Sequence, residues 1–335
     1  MFKKFLTIVF LLSSFSTFSF GQDNDDYKLI KTFHILSPGG WDYIAVNNNK
    51  LYVSHGTQVN ILNEETGDSV GIIPNTEGIH GIAFNNEINR GYTSNGRSNS
   101  VTVFDLNTNE IIAQIATGEN PDAIFYEPFT KKIITCNGRS KDLSVIDPVS
   151  NKVIATIYVG GKPEAAVSDR KGKVFVNIED KNEIASVDIV NFKVEHYWSI
   201  VPGEEPTGLA FDDKTNRLFA GCDKLLLVID AINGKVIDKL PIGDGCDGVV
   251  FDTENKMIFT SNGEGNLTAI KEKSANEFKV KQTIITKRGA RTITLDEKSH
   301  TLFLPTAEFE TLDVSAPKGT RPKMIPGTFQ VLVIQ

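Results

Sequence analysis

The chain has 335 residues, a formal net charge of −7 and 40% hydrophobic residues. That length exceeds what one ordinary hydrophobic core serves, and the acidic balance argues against broad contact with nucleic-acid phosphate. Three cysteines, Cys136, Cys222 and Cys246, lack any metal-binding spacing and cannot all pair; a bridge between Cys222 and Cys246 and three buried thiols are both open readings.

The first 21 residues read as a signal peptide. Lys3 and Lys4 precede an apolar stretch, and small residues Ser19 and Gly21 flank a cleavage point before Gln22. No cysteine follows the stretch, so lipid modification there is excluded, and no later segment approaches a membrane span. A periplasmic or secreted protein is expected, with residues 22–335 as one domain. Without Lys3 and Lys4, 33 basic face 42 acidic residues, a net charge of −9.

Residues 27–36, YKLIKTFHIL, form an isolated β-type run. The next run starts at Trp41 (WDYIAVNNNKLYVSHGTQVNIL), and a comparable unit restarts at Ile79. The pattern is clearest in residues 121–162. Four apolar runs, 122–126, 132–136, 143–146 and 153–159, are separated by Glu-Pro-Phe-Thr, Asn-Gly-Arg-Ser and Pro-Val-Ser-Asn. β-branched and aromatic runs punctuated this way predict a four-stranded antiparallel meander. Further copies begin at Pro163, Thr207, Asp247 and Arg291. The residues that open the first strand of each copy are Asp42, His80, Asp122, Glu164, Thr207, Asp247 and Arg291, at successive spacings of 38, 42, 42, 43, 40 and 44.

Seven units at this period predict an all-β fold, a seven-bladed β-propeller of four-stranded antiparallel blades. The last unit has only three runs, at 291–295, 301–305 and 328–334, and residues 27–36 resemble a fourth strand without a unit. Pairing the two closes the ring and removes two open sheet edges. The chain is expected to be monomeric. Asp105, Asp147, Asp188 and Asp230 open the turn between third and fourth strands, where Asx-type bonding accounts for them.

Lys50-Leu51-Tyr52-Val53-Ser54, Gly91-Tyr92-Thr93-Ser94-Asn95, Val145-Ile146-Asp147 with Asn151 to Ile157, and Gly-x-x-Pro hinges at 118–121, 160–163 and 203–206 resemble the YVTN-repeat, YncE-like propellers of bacterial exported proteins. Residues 321–329, RPKMIPGTF, are similar to that family's last blade. The resemblance implies the fold and an exported location; for function it implies little, since propellers host unrelated activities. Some members of the group are thought to bind single-stranded nucleic acid. The tryptophan motifs expected of quinoprotein propellers are missing, which argues against that cofactor.

In a meander, the loops before strand one and after strand two open on one face of the disc. That face pairs Asp42 with His55, His80 with Asn95, Asp122 with Asn137, Glu164 with Glu179, Thr207 with Cys222, Asp247 with Asn262 and Arg291 with Thr306. Trp41 stands at the rim, and Arg97 and Arg139 follow in identical Asn-Gly-Arg-Ser loops. The candidate ligand-binding set is therefore Trp41, Asp42, His55, His80, Asn95, Arg97, Asp122, Asn137, Arg139, Glu164, Asp247, Asn262 and Arg291. The long loop 307–327 lies on the same face, and Arg321 or Lys323 is expected to lean over the acidic rim as a lid. No catalytic residue, metal or cofactor is assigned. The preferred function is a binding module for a small molecule, peptide or protein at the channel mouth. A lactonase-like metal-assisted hydrolase and a single-stranded nucleic-acid binder are the alternatives, the latter disfavoured by net charge.

Overall fold

A computed structural model describes residues 26–311, 320 and 322–335. The proposed signal peptide lies outside the described residues. Seven four-stranded antiparallel sheets form the ring, confirming the seven-bladed β-propeller. Six blades are simple meanders at residues 41–73, 79–116, 121–158, 163–199, 208–241 and 246–285. In the seventh, strands Thr294–Asp296, Thr301–Thr306 and Gln330–Ile334 are completed by Leu29–His34 on the outer edge. The closing register runs from Leu29↔Ile334 to His34↔Gln330. Among the described residues, no helix is long and apolar enough to cross a membrane.

The core lies between blades rather than within one. Cys136, Leu143 and Val145 of the third blade pack with Val174, Val176 and Val187 of the fourth. Middle strands are therefore buried on both faces, which explains their nearly continuous apolar sequence. Each such side chain contributes about 1.5–3 kcal/mol through burial. All three cysteines are buried and free.

On the face away from the proposed mouth, Asp105 Oδ1 accepts from the backbone N–H of Asn107 and Thr108. Asp147, Asp188 and Asp230 bond their own turns in the same way. Asn109 and Asn151 then take left-handed backbone angles, φ 63° and 54°, which asparagine tolerates better than most residues. The four third-strand aspartates are turn residues.

The ring closure carries a titratable contact. Glu64 of the first blade hydrogen-bonds Asp296 of the seventh; burial and the Asp296 charge push the Glu64 carboxyl up to about 7. The folded protein therefore holds a proton that the unfolded chain releases near its ordinary value of 4.5. Stability from this group falls as pH rises through that interval. Glu64→Gln should raise the melting temperature relative to wild type at pH 8 but not at pH 4. Equal shifts at both pH values would refute the assignment.

Candidate functional site

The mouth is built by β-bulges. In the first blade Trp41 pairs with His55 and Ile44 with Val53, so Asp42 and Tyr43 together face Ser54. The same shift sets His80-Gly81 against Ser94, Asp122-Ala123 against Cys136 and Glu164-Ala165 against Asn177. In the sixth blade Asp247 is the extra residue between the pairs Cys246↔Asn262 and Gly248↔Ser261. A bulge re-aims a side chain and frees backbone groups that need new partners. Small polar side chains supply them. Ser54 Oγ accepts from Asp42 N (3.0 Å) and donates to Tyr43 O (2.8 Å). Ser94 donates to Asp122 O, Thr207 Oγ1 to Cys246 O (2.6 Å), Ser261 Oγ to Arg291 O (2.5 Å) and Thr292 Oγ1 to Asp42 O (2.6 Å). Each of these last four bonds ties one blade to the next at the level of the mouth.

The re-aimed side chains meet. Asp42 Oδ2 lies 2.5 Å from His80 Nδ1, and Asp122 Oδ1 lies 3.6 Å from the same nitrogen. Asp42 Oδ1 accepts from Arg291 Nη2 at 3.3 Å, and Arg291 Nη1 donates to Asp247 Oδ2. Beyond Asp122, Lys162 Nζ bridges Glu164 and Glu179. Five carboxylates thus converge with three cationic side chains. Just inside lies a channel cavity of about 180 Å³, lined by Tyr43 and by Gly81, Ala123, Ala165, Gly208 and Gly248. Tyr43 and Phe125 are the aromatic side chains on its wall.

Confinement sets the protonation states. Burial pushes Asp122 up to about 6, only partly offset by His80. Burial also raises Asp247 against the pull of Arg291. Burial and the Asp122 charge raise Glu164 against the pull of Lys162, which Glu164 shares with Glu179. Burial disfavours charge on His80, yet its bond to Asp42 and the Asp122 charge outweigh that, and its pKa rises. Tyr43 stays a neutral phenol, raised by burial and by the field of Asp122, Asp42, Glu164 and Asp247. Asp122 accepts no side-chain hydrogen bond among the described residues, although its side chain is only 14% exposed.

Several sequence candidates lie elsewhere. Asn95, Asn137 and Asn262 are fully buried, and each amide bonds within its own blade: to Thr93 and Thr102, to Thr135 and Ser144, and to Thr260 and Thr268. They brace the blade and do not line the mouth. His55 is also fully buried, bonded to Ser37 Oγ (2.6 Å) and Gly39 O (2.8 Å) and stacked on Phe329; burial lowers its pKa. Trp41 packs on Phe309 and Phe329 at the ring closure. Arg97 and Arg139 are exposed on their loops, outside the charge network.

The base of the long loop is a short ladder. Glu310 N donates to Lys323 O (2.8 Å), Ile325 N donates to Glu308 O (2.8 Å), and Phe309 pairs with Met324. Lys323 is exposed and, among the described residues, forms no ion pair with the mouth. Arg321 lies outside the described residues. Lys162 and Tyr43 are the participants that sequence reasoning missed. Lys162 lies in the hinge just before Pro163, two residues from Glu164, and that proximity was the available signal.

No protein-family model and no curated protein matches this sequence. Solved structures share its fold. A chain of Kuenenia stuttgartiensis hydrazine synthase aligns with TM-score 0.71 and 15% identity, covering 81% of this chain and 94% of its own. A chain of a mitotic checkpoint complex aligns with TM-score 0.73 and 12% identity, covering 89% and 94%. At these identities the likeness is one of fold alone: the class is a seven-bladed β-propeller.

Proposed function

We propose that this chain is an exported binding propeller of the YVTN type whose central mouth takes a cationic ligand, either a small cation or a cationic group on a partner. One observation carries the reading: Asp42, Asp122, Glu164, Glu179 and Asp247 outnumber Arg291, Lys162 and His80 in a confined site, and among the described residues Asp122 has no hydrogen-bond donor. A largely desolvated carboxylate that accepts no hydrogen bond and has only the His80 imidazole as its ion-pair partner, 3.6 Å away, is costly in the free protein and gains most when a cation arrives. Nucleic acid fits poorly. Trp41 packs against Phe309 and Phe329 rather than standing free for base stacking, and the mouth would repel phosphate.

A melting-temperature screen tests this. Polyamines, lysine amide and divalent cations are set against glutamate, phosphate and a single-stranded oligonucleotide. Some cations should stabilise the protein, by about 2.7 kcal/mol at a hundred times Kd, and the anions should not. Asp122→Asn should abolish the response. Stabilisation by the oligonucleotide alone, or a cation response unchanged in Asp122→Asn, would overturn the reading.

A further inference from the structure

We propose that Asp42, His80 and Asp122 form a three-ligand site for a divalent first-row transition metal ion; this deepens, and rests on, the cation-binding reading above. Among the described residues, these three are the one group whose potential ligand atoms could hold an ion, with one imidazole nitrogen and two carboxylate oxygens all within 4.8 Å of one another. The residues come from three successive blades, and in each the bulge turns the side chain into the mouth. Metal–nitrogen and metal–oxygen bonds of about 2.0–2.2 Å place neighbouring ligand atoms roughly 3–3.5 Å apart. His80 Nδ1 to Asp122 Oδ1, at 3.6 Å, is already close to that spacing. His80 Nδ1 to Asp42 Oδ2, at 2.5 Å, is a hydrogen bond, and the ion would take the place of its proton.

Independent observations support a ligand there. The Asp122 side chain is largely covered, at 14% exposure, and accepts no hydrogen bond among the described residues; its ion-pair partner is His80, 3.6 Å away. The far side of His80 is closely packed: a Cβ on Gly96 would lie 2.6 Å from His80 Nε2, so glycine there leaves room for the ring. Asp42 is oriented from behind by Arg291 through its other oxygen. The ligand side chains keep 16, 28 and 14% exposure, so a further coordination position faces solvent. One nitrogen with two oxygens suits zinc, cobalt or manganese better than calcium, which takes six to eight oxygens.

The test uses the purified protein, stripped with a chelator and dialysed, then titrated with Zn(II), Co(II), Mn(II), Ca(II) and Mg(II) by calorimetry and, for Co(II), by visible absorption. One equivalent of Zn(II) or Co(II) should bind, with Co(II) bands of a low-coordinate site. His80→Gln and Asp122→Asn should each weaken binding by more than roughly 100-fold, beyond the loss typical of outer-shell changes. His300→Gln, which alters the separate Asp252–His300 contact, should leave binding unchanged. Absence of stoichiometric binding, or binding that survives His80→Gln and Asp122→Asn, overturns the site. If no metal binds while polyamines still stabilise the protein through Asp122, the metal assignment fails and the broader reading stands. If neither binds, both fail.

Discussion

Gly91→Ile should destabilise the propeller by about 3 kcal/mol, at or above the upper end of ordinary overpacking costs. A Cβ at Gly91 would sit 2.1 Å from Phe104 Cζ, and Phe104 is fully buried. These residues are directly opposed in the second blade. The corresponding pairs in five other blades are Leu51↔Leu62, Ile133↔Ile146, Val174↔Val187, Leu218↔Ile229 and Ile258↔Ile270. Two aliphatic side chains fill that layer elsewhere; in the second blade one ring fills it alone. Phe104→Ile should therefore cost about 1–3 kcal/mol by leaving a cavity beside Gly91. The double variant should recover most of both losses, because it restores the arrangement of the other blades. Recovery should stop short of wild type, since the Phe104 ring also packs on Tyr52 of the first blade, 6.2 Å between centroids. Denaturant unfolding of the four proteins closes the cycle. Additive losses would show that the two positions do not compensate.

Asp122→Asn should stabilise the ligand-free protein. The carboxylate is desolvated and lacks a hydrogen-bond donor among the described residues, and its pKa is displaced from 3.8 to about 6. A displacement of that size corresponds to about 3 kcal/mol at most, less whatever attraction to His80 is lost with the charge. The sign follows from linkage. A carboxyl whose folded pKa is raised binds its proton more tightly in the folded state, so the protein loses stability as pH rises from about 4 to 6 and carries the full cost above. The gain from Asp122→Asn should be present at pH 7.5 and absent at pH 3.5, read as melting temperature in chelator. A gain in stability coupled to loss of cation binding is the trade expected of a binding residue. Destabilisation at pH 7.5 would mean that Asp122 serves mainly to hold His80.

Blade number and ring closure were legible in the sequence because both rest on local signals. Runs of four to seven β-formers alternate with Asn, Gly, Asp and Pro turns, and an unpartnered strand at one end matches a missing one at the other. The site was legible only in half. Spacing places a residue on a face of the disc but does not fix where its side chain points. Asn137 follows Asp122 by 15 residues, yet it pairs with Pro121. Cross-strand partners share a side of the sheet, and the bulge that begins at Asp122 reverses the alternation at that step. Asp122 therefore turns into the mouth and Asn137 into the blade. The same reversal separates His80 from Asn95 and Asp42 from His55. A bulge depends on one backbone register and leaves no compositional mark. The Lys162 bridge was hidden for another reason: its partners lie in different elements, Glu164 in the strand Pro163–Ser168 and Glu179 in the 3-10 turn Glu179–Lys181.

The clasp between Leu29–His34 and Gln330–Ile334 has a mechanical consequence. Lys28 N donates to Gln335 O (3.0 Å) and Gln335 N to Lys28 O (3.1 Å), so residues 28 and 335 stand side by side at one end of an antiparallel ladder. Tension applied between them runs along the hydrogen bonds, which lie perpendicular to the strands. The bonds then break in succession, as in peeling, rather than together, as in shear. Under such a load the ring yields first at this seam. A load applied across the disc must instead slide one blade over the packed face of its neighbour.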